Sequence, residues 1–162
     1  MNTILRIAGL LAIAAVCYGQ EAQADRIVVN KAKRELVLLR AGKVLKSYRV
    51  SLGGHPVGPK TRQGDHKTPE GLYTIAGRNR QSAYHRSLRI SYPNEKDRER
   101  ARRAGVSPGG DIMIHGLPNG QGYIGKGHLL ADWTNGCIAL SNEDLLELWA
   151  LVPTRVPVVI RP

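Results

Sequence analysis

Apolar residues recur along this chain in short runs broken by turn-forming ones, a pattern of strands rather than of long helices. Val, Ile and Leu mark residues 26–30, 35–40 and 44–52, and Ala41-Gly42 supplies a turn between the last two. The early part of the chain therefore reads as a meander of hairpins. The pattern lapses over residues 53–71, which are rich in Gly, Pro, Lys and His. A stretch of that length without periodicity is long for a compact domain and predicts a functional surface. Strand patterning returns at residues 72–76 and 87–91. It returns again at 111–114, where a buried-looking run delivers His115, and finally at 155–160.

Two segments read as helices. Residues 94–104 are strongly charged: Asn94 can cap the start, acids occupy the first turn, arginines follow, and Gly105 can end it. Those arginines belong on a solvated face. Ser141-Asn142-Glu143-Asp144 opens a second helix running to about Leu151, with Ser141 and Asp144 spaced as a capping box. Between them, residues 116–127 read as a glycine-rich loop. No internal repeat or low-complexity tract is visible.

The first 24 residues stand apart and read as a signal peptide. Arg6 supplies a short positive region, residues 7–16 are apolar or glycine, and Ala22-Gln23-Ala24 matches a small-x-small cleavage pattern, predicting a mature start at Asp25. The apolar run falls short of the roughly 20 residues that a bilayer span needs. No transmembrane span is therefore expected in the mature chain, and the protein is expected in the periplasm or cell envelope. Bulky Val16 before Cys17 argues against a lipoprotein. Residues 25–162 suffice for one domain with a real core. The formal charge is +11, and processing leaves it unchanged because Arg6 and Glu21 depart together. Such a charge attracts polyanions, which in an envelope are cell wall and lipid headgroups. Nucleic acid is excluded by export and by the lack of interleaved aromatics or a nucleic-acid-binding motif.

Processing leaves Cys137 as the sole cysteine, in the run Asp132-Trp133-Thr134-Asn135-Gly136-Cys137, twenty-two residues after His115. An unpaired thiol in an oxidising compartment is a liability unless it has a chemical role. Cysteine attacks as the thiolate, and a histidine can take its proton or stabilise the anion. His115, at a strand end, suits that role, and the pair predicts a thiol that reacts well below the ordinary cysteine range. Gly136 lets a carbonyl approach the backbone, so the Cys137 N–H can serve an oxyanion hole. Against this stand a core cysteine flanked by Ile138 and Leu140, and a structural histidine. His55, His66, His85, His115 and His128 show no H-E-x-x-H or C-x-x-C spacing, so no metal site is expected. No cofactor motif is present. His66 and Tyr84 are candidates to line a groove, with an ordinary surface role the simpler expectation.

In order along the chain, the early hairpins, Lys60 with Gly64-Asp65, Thr68-Pro69-Glu70-Gly71-Leu72-Tyr73, Ile114-His115-Gly116, and Thr134-Asn135-Gly136-Cys137-Ile138 through Asn142 and Asp144 resemble the L,D-transpeptidase catalytic domain, or YkuD domain. The resemblance covers nearly the whole mature chain. It implies a mostly β, sandwich-like domain with one or two short helices, acting on peptidoglycan stem peptides through a thioester. By position, it implies Cys137 as nucleophile and His115 as base. Gly116 holds the place of a residue whose carbonyl orients that histidine. Asn135 and Gly136 are supporting residues, and Asn142 and Asp144 shape a turn and a helix start. Two departures are visible. The family often has histidine at Asn135, and often has arginine at Ala139, so a bidentate carboxylate clamp is missing.

The expected function is a periplasmic cysteine L,D-transpeptidase that cross-links peptidoglycan or attaches an envelope protein to it. A hydrolase sharing the same acyl-enzyme and a non-catalytic wall-binding module are the alternatives.

Overall fold

The alternation of Val, Ile and Leu with polar residues produces the expected meander. Strand β1 (Arg26–Asn30) pairs antiparallel with β2 (Glu35–Arg40), which pairs antiparallel with β3 (Lys43–Arg49). The structure is a computed structural model that describes residues 23–162. The expected signal segment up to residue 22, including Cys17, lies outside the described residues.

Strand β4 (Gly71–Ser82) is longer than its apolar run, because only its first part alternates buried and exposed positions. Beyond Ala76 it is mostly polar and exposed, and its pairing with β5 (His85–Ile90) holds it extended. Irregularities between Ile75 and Gly77 and between Asn79 and Ser82 bend it. Its first residues instead pair with the closing strand β8 (Pro157–Arg161), which runs parallel to β1. Strands β6 (Met113–His115) and β7 (Ile138–Ala139) complete an eight-stranded order, β3-β2-β1-β8-β4-β5-β6-β7. The chain leaving β3 then meets β7 at the far edge: Ser51 and Ala139 exchange both backbone hydrogen bonds, at 3.0 and 2.9 Å. The sheet thus curls until its edges touch, a sandwich-like closure around a core of Val, Ile and Leu.

Helix α1 (Glu95–Arg103) starts with a reciprocal capping box in which Asn94 Oδ1 accepts from Asp97 N–H and Asp97 Oδ2 accepts from Asn94 N–H, both at 3.1 Å. Helix α2 (Asn142–Leu151) is capped by Ser141 Oγ accepting from Asp144 N–H at 3.2 Å. It buries Leu145 and Leu148 completely, each contributing about 1.5–3 kcal/mol by area. The segment read as a glycine-rich loop contains 3-10 turns over Gly122–Leu130, broken at Gly125, whose φ is 51°.

The aperiodic residues 53–71 are pinned by two buried lysines. Lys31 Nζ donates to Glu70 Oε1 at 2.7 Å and to the carbonyls of Gly58 and Thr68. Lys60 Nζ donates to Asp65 Oδ1 at 2.8 Å and to Arg62 O at 3.1 Å. Asp65 also accepts from the backbone N–H groups of Thr61, Arg62 and Lys67. These donations outweigh burial and hold the Asp65 carboxyl down at about 2.

Candidate active site

His115 ends β6 because Ile114 and Ile138 pair in the neighbouring β7, which fixes the next register pair as His115 with Ala139. Cys137 immediately precedes β7. Both residues line one cavity of about 310 Å³, together with Asn79, Ser82, Ser87, Asp111, Met113 and Thr134. Asn135 lines the same cavity. The structure therefore brings His115, Asn135 and Cys137 together, with Gly116 and Gly136 as their chain neighbours.

The imidazole of His115 is held on three sides. Its Nδ1 lies 2.7 Å from the carbonyl oxygen of Gly116. A carbonyl only accepts, so Nδ1 carries the proton and Nε2 of the neutral ring keeps its lone pair. The Tyr84 ring lies 4.5 Å away and that of Trp133 5.8 Å, limiting rotation of the imidazole. Gly116 must be small, since a Cβ there would fall 2.6 Å from Asn142 Oδ1. The same oxygen accepts from Leu117 N–H at 2.9 Å. Asn142 thus holds the turn after the histidine.

The loop carrying Cys137 is equally constrained. Gly136 has φ of 126°, and a Cβ there would fall 2.6 Å from Lys67 O. Thr134 Oγ1 accepts from Gly136 N–H at 3.1 Å and donates to Cys137 O at 2.8 Å. Gly136 N–H is therefore committed, whereas Cys137 N–H has no partner among the described residues and remains available to an oxyanion. Arg34 grips Asp132 through Nε and Nη2, and Asp132 Oδ1 accepts from Leu52 N–H, fixing the start of the Trp133 segment.

Electrostatics correct one expectation from the sequence. Burial pushes the Cys137 thiol up, with opposing contributions from the Met113 backbone and Lys60 and a further upward one from Asp111. The thiol donates to Asp111 O at 3.6 Å, which favours its protonated form. Burial also lowers His115, assisted by His128 and opposed by the Gly116 carbonyl. The resting pair is a thiol and a neutral imidazole, so the low-pH thiolate expected from the residue types is not favoured. Such a pair is suited to general-base transfer during attack.

Sequence reasoning missed Trp133 as a wall of the imidazole slot; it named Tyr84 and His66 as groove candidates but preferred an ordinary surface role, whereas Tyr84 lines the cavity. His66 Nδ1 lies 2.9 Å from Asn135 Oδ1. The aromatic character of Tyr84 and Trp133 gave the only available signal, and it did not say which residue they would face. Among the described residues no group of three or more His, Cys, Asp or Glu side chains is arranged to hold a metal ion.

The sequence model of the YkuD family, described as the L,D-transpeptidase catalytic domain, matches residues 24–160. The chain is similar to "Putative L,D-transpeptidase YafK" of Escherichia coli strain K12, with 30% identity over 145 residues, covering 83% of this chain and 50% of that protein. It is also similar to "Putative L,D-transpeptidase YqjB" of Bacillus subtilis strain 168, with 28% identity over 137 residues, 83% of this chain and 69% of that one. Among solved structures, the helical cell shape determining protein Pgp2 from Campylobacter jejuni matches with a TM-score of 0.64 at 26% identity, covering 87% of this chain and 48% of its own. An L,D-transpeptidase from Mycobacterium smegmatis, at 16% identity and a TM-score of 0.56 over 86% of this chain and 59% of that one, shares the fold. The chain spans about half the length of YafK and of Pgp2.

Proposed function

Because the chain belongs to the L,D-transpeptidase (YkuD) catalytic-domain family, we propose that it is an exported cysteine L,D-transpeptidase acting on peptidoglycan stem peptides in the cell envelope. The observation that carries the reading is the shared cavity, lined by both Cys137 and His115, whose Nδ1 is committed to the Gly116 carbonyl so that Nε2 keeps its lone pair.

In this mechanism Sγ of Cys137 attacks the donor carbonyl at an L-to-D linkage while its proton passes to His115 Nε2. The carbonyl oxygen becomes an oxyanion held by Cys137 N–H. When the C–N bond breaks, His115 returns the proton to the departing D-residue's amine, leaving a thioester. An incoming amine then attacks the thioester carbonyl. His115 takes that amine's proton and passes it to the leaving sulfur, so the enzyme ends as it began. The acceptor is an amine of a second stem peptide or of an envelope protein, and no cofactor takes part. The basic surface, at a formal charge of +11, suits an anionic wall.

The purified protein incubated with disaccharide tetrapeptides, with products read by mass spectrometry, tests the proposal. A cross-linked dimer or an exchanged terminal D-residue is expected from the wild type and not from Cys137→Ala. Products that gain only water identify a hydrolase with the same acyl-enzyme. No turnover by folded wild-type protein rejects the proposal.

A further inference from the structure

No lysine or arginine lines the cavity. A carbonyl or carboxylate oxygen entering it meets neutral donors, among which Asn135 sits two residues before Cys137. Asn135 Oδ1 lies 2.9 Å from His66 Nδ1. An amide oxygen only accepts, so the His66 Nδ1–H donates. This commits one limb of the carboxamide and leaves the other, Nδ2 with two hydrogens, without an acceptor among the described residues.

The loop carrying His66 is packed backbone to backbone on the nucleophile segment. The φ of His66 is 53°, in the left-handed region that histidine enters more readily than most residues. Its carbonyl accepts from His55 N–H at 3.0 Å, and a Cβ on Gly53 would fall 2.2 Å from that oxygen. Gly53 in turn pairs with Thr134. The next carbonyl along, that of Lys67, is the one against which Gly136 must stay small. His66 and Asn135 are therefore placed by two rigid strands of chain, and the His55 ring lies edge-on to His66 at 5.7 Å.

We infer that His66 is a positioning residue: it holds the Asn135 carboxamide so that Nδ2 donates a hydrogen bond to a carbonyl or carboxylate oxygen of the bound donor peptide. The inference deepens the proposed function and rests on it. A neutral amide does here what a cationic clamp would do if the Ala139 position carried arginine. Ala139 is fully buried and leaves no such side chain at the cavity.

Kinetics of Asn135→Ala, His66→Gly, His66→Asn and the Asn135→Ala/His66→Gly double variant test it. Glycine removes the ring without straining the left-handed backbone, and asparagine keeps an N–H donor near the Nδ1 position. Asn135→Ala and His66→Gly each raise KM for a donor tetrapeptide by roughly three- to tenfold while kcat stays within about twofold, as loss of one ground-state hydrogen bond implies. The double variant is no worse than either single one, and His66→Asn restores most of the loss. An unchanged KM in His66→Gly, losses that multiply in the double variant, or a fall confined to kcat overturns the inference.

A second readout does not depend on turnover. In 15N-labelled protein with a neutral His66 ring, the proton resides on Nδ1, and Asn135→Ala shifts the ring to the other tautomer. A proton on Nε2 in the wild type overturns the inference whatever the activity. A wild type that shows the Nδ1–H signature yet turns over no stem peptide brings down the donor-peptide reading, and Asn135's role in binding with it, while the His66–Asn135 contact stands.

Discussion

At the scale of single residues, burial sets the protonation of the pair before any substrate arrives. The Cys137 thiol is raised and the His115 imidazole lowered, so the thiolate is scarce at neutral pH. Alkylation of the wild type by iodoacetamide should accelerate only above the range of an ordinary cysteine, near 8.5. His115→Ala should change that profile little yet reduce turnover by about 10²–10⁴-fold, the usual worth of a general base. A rapid phase below neutral pH that vanishes in His115→Ala would show a standing ion pair instead. Gly136 offers a second test at this scale. Its φ of 126° and the Lys67 carbonyl 2.6 Å from a would-be Cβ leave alanine no comfortable conformation. Gly136→Ala should cost about 1–3 kcal/mol of stability in urea melts and remove most activity. That Cys137 and His115 would share a site was legible in the sequence, because residue types suited to nucleophile and base are few. Trp133 was not, and Tyr84 and His66 were legible only as groove candidates without partners, since tertiary contacts alone decide which ring faces which.

At the scale of elements, packing and polar clasps divide the work. Helix α2 is short, and its stability comes from the side chains it buries rather than from propensity. Leu148→Ala, deep in the core, should lower the unfolding free energy by about 2–5 kcal/mol, read as a shifted urea midpoint with an unchanged slope. Strands β1 and β2 fall where the apolar alternation put them, and helices α1 and α2 where their caps did. Three features escaped for definable reasons. The polar half of β4 is extended by its partner and carries no apolar pattern. Strand β7 is too short to show a period. The 3-10 turns of Gly122–Leu130 are glycine-rich, which reads as loop. Residues 53–71 look structureless because buried lysines and backbone carbonyls order them, leaving no hydrophobic trace.

For the molecule as a whole, the buried histidines fix how stability responds to acid. Burial holds His115 and His128 below the ordinary imidazole value of 6.5 in the folded state. On acidification the unfolded chain binds those protons first, near 6.5, whereas the folded protein resists them. Stability should be full above that value and fall as pH drops through the folded-state values. Urea midpoints at about pH 7.5 and about pH 5.5 check it, and His128→Gln should flatten the dependence. A midpoint that rises on acidification would contradict the burial argument.

The paired backbone bonds between Ser51 and Ala139 have a consequence for how the molecule comes into being. They tie a residue synthesised early to one synthesised late, and the thiol stands at the late side of that knot. A growing polypeptide that already carries every hairpin before it has neither the closed groove nor the Cys137 thiol. The cavity is complete only with the last quarter of the chain, so under the proposed function a half-made copy is chemically mute rather than misdirected.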